Sequence, residues 1–63
     1  MELSKYVGKY VKVDLINSDM YFEGYVNSSD DDSINIKDKT GKDVDIKRES
    51  IAFIREVVGR WVN

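Results

Sequence analysis

From Tyr10 onward the chain alternates. Val11, Val13 and Leu15 are apolar, and the residues between them, Lys12 and Asp14, are charged. A period of two sends alternate side chains to opposite faces, so this segment predicts a strand with one buried face. Asn17-Ser18-Asp19 follows, residue types whose side chains bond their own backbone and favour turns. Met20 to Val26 is rich in aromatics and predicts a second strand. Gly24 inside it predicts a sharp bend or a bulge, as small barrels need where a strand crosses between sheets. Asn27 to Asp32 is wholly polar and predicts a turn. Alternation then returns twice, with Ile34 and Ile36 set among Ser33, Asn35 and Lys37, and Val44 and Ile46 among Asp43, Asp45 and Lys47. Lys39-Thr40-Gly41 between these strands predicts a tight hairpin. Ile51 to Val58 predicts a fifth strand or a short helix, because Ile51 and Ile54 stand three apart. At the N-terminus Leu3, Tyr6 and Val7 fall on one helical face, which predicts one or two helical turns stopped at Gly8.

The sum is a mainly all-β chain: a short N-terminal helix followed by a strongly bent five-stranded antiparallel small barrel. Residues 1–63 have room for a single domain. A chain of this size buries only about 60% of its unfolded surface, so it needs a staple. There is no cysteine for a disulfide or a thiolate zinc site, and no histidine, the commonest metal ligand and default general base. Self-association is the staple that remains, and no cofactor or metal is expected. Asp30-Asp31-Asp32 lacks the glycine and distal glutamate of a calcium loop and reads as a solvated turn. Without histidine, cysteine or a phosphate-binding glycine loop, and with little room for a cleft, an enzyme is not expected. Ten Lys and Arg against twelve Asp and Glu leave a net charge of −2. That bulk charge does not point to a nucleic-acid binder, but a local basic patch can oppose the mean field. No apolar run reaches transmembrane length and the opening residues lack signal-peptide character, so no membrane partner and a cytoplasmic location are expected.

Two blocks of residues carry a family resemblance. The first runs from Val11-Lys12-Val13-Asp14-Leu15 through Gly24-Tyr25-Val26 to Asp31-Asp32-Ser33-Ile34-Asn35. It resembles the first motif of the Sm-like (LSm) proteins: a hydrophobic strand, a strand with glycine, then Asp-x-x-apolar-Asn. The second, Ile46-Lys47-Arg48-Glu49-Ser50-Ile51-Ala52-Phe53-Ile54, is similar to the second motif, Ile-Arg-Gly-x-Asn-apolar-x-x-Ile. The opening from Leu3 to Lys9 also matches, so the likeness covers nearly the whole chain. The chain departs from the pattern in four places. The turn between Gly24 and Asp31 is one residue longer, Lys47-Arg48 replaces Arg-Gly, and Ser50 replaces the asparagine. Ser33 stands where the family often has an aromatic.

The resemblance implies a homo-oligomeric ring of six or seven subunits. The fourth strand of one subunit, Asp43 to Lys47, would pair with the fifth of the next, Ile51 to Val57. It implies single-stranded RNA at the inner rim, with Ser33, Asn35, Lys47 and Arg48 forming a slot for one base in each subunit. Asn35 would bond a base edge. Lys47 would take the family arginine's place against base or phosphate, and Arg48 would restore a stacking guanidinium. Asp31 or Asp32 would orient the loop. Tyr6, Tyr10, Tyr21, Phe22 and Tyr25 fit either a stacking platform or, more simply, core and subunit interface. Trp61 has no assigned place. The alternative is a small β-barrel protein-interaction or scaffold module without RNA binding, which the acidic balance and Ser33 favour.

Overall fold

The structure is a computed structural model that describes residues 2–58. Trp61 therefore lies outside the described residues. The strands are β1 (Tyr10–Leu15), β2 (Tyr21–Ser29), β3 (Ser33–Asp38), β4 (Asp43–Lys47) and β5 (Ile51–Glu56). They form one antiparallel sheet in the order β4-β3-β2-β1-β5. All five expected strands are present, and the last segment, open between strand and short helix in the sequence, is a strand. The N-terminal helix is not: Ser4–Tyr6 makes a single 3-10 turn. Its residues still serve the core, because Leu3 is buried and the Tyr6 ring packs against the cluster, its hydroxyl 3.5 Å from the Ile54 carbonyl oxygen. Val7, the third member of the predicted helical face, is exposed.

The inward positions are aliphatic throughout. Val11, Val13, Ile34 and Ile36 are fully buried, with Val26, Ile46, Ile51 and Ile54 around them. Burying one such side chain contributes about 1.5–3 kcal/mol. The described residues bury no polar or charged side chain. The core thus follows from the period-two pattern wherever that pattern is clean.

Two bulges account for the places where it is not. Between β1 and β5, Asp14 pairs with Phe53 but Leu15 pairs with Ile51, so Ala52 is the extra residue. An extra residue resets the alternation. Ile51 and Ile54, three apart, therefore both face the core from a strand, and the helical alternative is set aside. Between β2 and β3, Val26 pairs with Ile36 and Ser28 with Asn35, so Asn27 is extra. That bulge replaces the turn predicted over Asn27 to Asp32: β2 continues to Ser29, and only the following residues turn. It also sits three residues beyond Gly24, where the bulge was expected. Gly24 pairs in register with Val11 on one side and Asp38 on the other. Its role is close approach, since a Cβ there would press into the Lys37 carbonyl oxygen and sit 2.5 Å from Ile36 Cγ2.

The connection from β4 to β5 sets the shape. These strands are sequential but occupy opposite edges of the sheet, joined only by the 3-10 turn Arg48–Ser50. In a flat five-stranded sheet the edges would lie about four spacings of 4.8 Å apart, roughly 19 Å. The four Cα steps from Lys47 to Ile51 span at most about 15 Å, and less in a 3-10 turn. The sheet must therefore curl, bringing the end of β4 toward the start of β5. No strand pairs with the outer edge of either among the described residues.

Gly24→Ala is expected to destabilise the fold by about 1–3 kcal/mol, the usual cost of overpacking a tight site. Gly41, at φ +89° with open space around it, should lose only about 1 kcal/mol as alanine. Urea denaturation of the two variants checks the order, and a Gly24→Ala protein as stable as Gly41→Ala would contradict the close approach.

Candidate functional site

The turn between β2 and β3 is built on Asp30. One oxygen of its carboxylate accepts the backbone N–H groups of Asp32 and Ser33, both at 2.8 Å, and the Ser33 hydroxyl at 3.2 Å. The Asp30 N–H donates to the Ser33 carbonyl at 2.9 Å. Asp30 is thus the loop's organiser, the part the resemblance assigned to Asp31 or Asp32. This turn docks on the next one, because the Arg48 N–H donates to the Asp32 carbonyl at 2.7 Å. The β3–β4 ladder pairs Ser33 with Lys47 and Asn35 with Asp45.

These bonds bring three of the four expected residues together. Ser33, Asn35 and Lys47 line one cavity of about 480 Å³, shared with Ser28, Asp30 and Asp45. Arg48 lies beside it, lining a 230 Å³ cavity with Asp32 and Glu49 and a 410 Å³ cavity against Leu3 and Ser4. It stands at the rim of the Asn35 cavity.

Asn35 is held from both sides. Its amide nitrogen donates to Asp45 Oδ1 at 2.7 Å, and its oxygen accepts from Asn27 Nδ2 at 2.8 Å. Asn27 Nδ2 also donates to Asp43 Oδ1 at 3.3 Å. Asn27 reaches across because the bulge turns it out of the ladder. Asp45 and Asn27 are the site residues that sequence reasoning missed. Alternation places Asn35 and Asp45 on one face, but only the register of the Lys39-Thr40-Gly41 hairpin sets them opposite each other.

The electrostatics are acidic. Around the cavity Asp30, Asp32 and Asp45 face one cation, Lys47, a formal local charge of −2. Among the described residues no aromatic side chain lines it. The aromatics lie elsewhere: Phe22 and Tyr6 pack on the core, while Tyr21 and Tyr25 are exposed. Lys12 sits 4.4 Å above the Tyr21 ring, and Tyr10 meets Tyr25 edge-on with centroids 5.0 Å apart. Tyr21 and Phe53 both pair with Asp14, so they flank it across three strands. No cluster of three or more carboxylates suited to a metal ion occurs among the described residues.

Two carboxyl groups are shifted. The Asp32 and Ser33 backbone N–H groups hold Asp30 below its ordinary value of 3.8. The Thr40 hydroxyl, then the Lys42 backbone N–H, hold Asp38 in the β3–β4 hairpin below the same value. Hydrogen bonds to the charged form favour that form. A depressed folded value means the stabilisation is fully present above pH 3.8 and is lost as pH falls through the folded value. Carboxyl NMR titration should give Asp30 and Asp38 midpoints below 3.8, with exchange of the Asp32 and Ser33 amides accelerating in the same acid range. Midpoints at or above 3.8 would contradict the turn geometry.

No family model matches the chain, and neither a curated protein nor a solved structure matches it.

Proposed function

We propose that the chain is an Sm-like subunit that closes into a homo-oligomeric ring of six or seven copies and binds single-stranded RNA at the inner rim. The observation that carries this reading is the convergence of the turns after β2 and β4. The Asp32–Arg48 backbone bond joins them, and the joint sets Ser33, Asn35 and Lys47 around one cavity with Arg48 at its edge. A base would enter the cavity, and the Lys47 and Arg48 cations would meet the phosphates outside it. The curled sheet, taken as an open small barrel, leaves the outer edges of β4 and β5 for neighbouring subunits. Pairing β4 of one copy with β5 of the next would cover both edges, which otherwise invite aggregation. It would be a head-to-tail interface that closes. It would also add burial to a core made only of Leu, Val and Ile.

A second reading, a protein-interaction barrel without RNA, is favoured by one observation. The carboxylates around the cavity outnumber its cations.

Light scattering on a sizing column separates the first step. Six or seven copies of the 7.3 kDa chain would weigh about 44 or 51 kDa. A stable monomer or dimer would remove the composite rim. In the ring, Lys47→Ala with Arg48→Ala should weaken binding of a short single-stranded RNA. It should also lower the slope of log K against log salt, by about one unit for each phosphate no longer neutralised. Unchanged affinity in that double variant would place the RNA elsewhere.

A further inference from the structure

We propose that Arg55 on β5 of one copy pairs with Asp45 on β4 of the next, and that this charge match fixes the register in which the two open edges join. The inference rests on the ring reading above and names the contact that closes it.

The two edges carry opposite charge. Arg55 stands opposite Lys12 on β1 and lines a 400 Å³ cavity with Lys5 and Lys9, against the single carboxylate of Glu56. It is exposed and makes no ion pair among the described residues. Like charges set opposite each other across a ladder destabilise it, so a carboxylate on the open side of Arg55 would offset that repulsion. At the other edge, Asp45 belongs to the Asn35 cavity, where three carboxylates face one cation, and Asp43 lies two residues away on the same face of β4. Asp45 accepts from Asn35 through Oδ1, and a carboxylate has a second oxygen with which to accept.

Matching the faces narrows the registers. On β4, Asp43, Asp45 and Lys47 face outward while Val44 and Ile46 face the core. On β5, Phe53 and Arg55 face outward, opposite Asp14 and Lys12, while Ile54 faces the core opposite Val13. A slip of one residue would turn every side chain to the wrong face, so the allowed registers differ by two. Setting Ile46 opposite Ile54 carries the apolar row across the joint. Asp45 then stands opposite Arg55, with Cβ atoms about 4.5–5.5 Å apart. Lys47 stands opposite Phe53 and can lay its methylene stem along the ring. Val44 falls opposite Glu56, whose carboxylate reaches Lys9 at 3.9 Å. Sliding two residues one way sets Lys47 opposite Arg55, two cations. Sliding two the other way runs the ladder into the Ala52 bulge and sets the outward Lys47 opposite the buried Ile51. The favoured register also brings a cation of the next copy to Asp45, so the partner copy contributes a residue to the acidic wall of the Asn35 cavity.

Light scattering on a sizing column, run on the full chain over a concentration series, tests this. The natural chain should assemble to about 44 or 51 kDa. Arg55→Glu and Asp45→Arg, each alone, set like charges across the joint and should raise the concentration at the assembly midpoint roughly tenfold or more. Arg55→Glu combined with Asp45→Arg restores opposite charges in every joint and should bring the midpoint back toward the natural one. Arg55→Gln removes the charge without reversing it and should shift the midpoint the same way by less; it takes the place of Arg55→Glu should that variant fail to fold. Raising salt from about 0.1 M to 1 M shortens the screening length from about 10 Å to 3 Å and should narrow the gap between Arg55→Glu and the natural chain. Single variants that assemble at the natural midpoint, or no recovery in the double variant, would overturn the charge match while leaving the ring standing. Recovery of Arg55→Glu by Asp43→Arg and not by Asp45→Arg would overturn the register. A natural chain that stays monomeric or dimeric would overturn the ring reading itself.

Discussion

Everything in this small fold depends on one short connection. β4 and β5 follow one another in the chain yet occupy opposite edges of the sheet, with only Arg48–Ser50 between them. A flat sheet cannot meet that constraint, so the sheet curls and its aliphatic face turns inward on itself. The curl lets side chains no larger than Ile and Leu fill the centre without a second layer. The same connection carries the Arg48 N–H that bonds Asp32, so the element that shapes the sheet also assembles the candidate site.

The site's chemistry is local and polar. Asp30 spends one oxygen on three donors, and this holds the 30–33 turn against β3. Asp45 and Asn27 clamp Asn35 between strands, so a half-buried asparagine is held in one orientation. Exposed polar bonds of this kind contribute little net stability each. Their effect is to fix direction, which matters for recognition more than for folding. The acidity of the wall and the lack of an aromatic floor among the described residues separate this cavity from a plain phosphate-binding groove. Under the proposed RNA reading, they would shift recognition from stacking to hydrogen bonding.

Legibility tracked regularity. The strands at Val11 to Leu15, Ile34 to Ile36 and Val44 to Ile46 were readable because apolar and polar residues alternate without interruption. The hairpin at Lys39-Thr40-Gly41 was readable from turn chemistry, and the structure adds the reason: Asp38 accepts from Thr40 and Lys42 while Gly41 takes a positive φ. The segment from Asn27 to Ser29 reads as a turn in the sequence because its polarity reflects an outward-facing bulge, which composition alone does not distinguish from a loop. The N-terminal helical spacing was real as a pattern, but three residues fit only one tight turn before Gly8 bonds Val26. In the site, the motif positions point to Ser33, Asn35 and Lys47, whereas Asp45 and Asn27 depend on the register of two strand pairs.

By itself the sequence determined which faces are apolar, how many strands there are and where most of them break, because the pleat alternates side chains residue by residue. Tertiary structure alone decided that two bulges reset this alternation at Asn27 and Ala52, that sequential strands stand at opposite edges, and that Asn35 lies between Asn27 and Asp45. Those outcomes depend on how strands far apart in the chain slide against each other, and a one-residue difference in register changes every pairing while leaving the local pattern untouched.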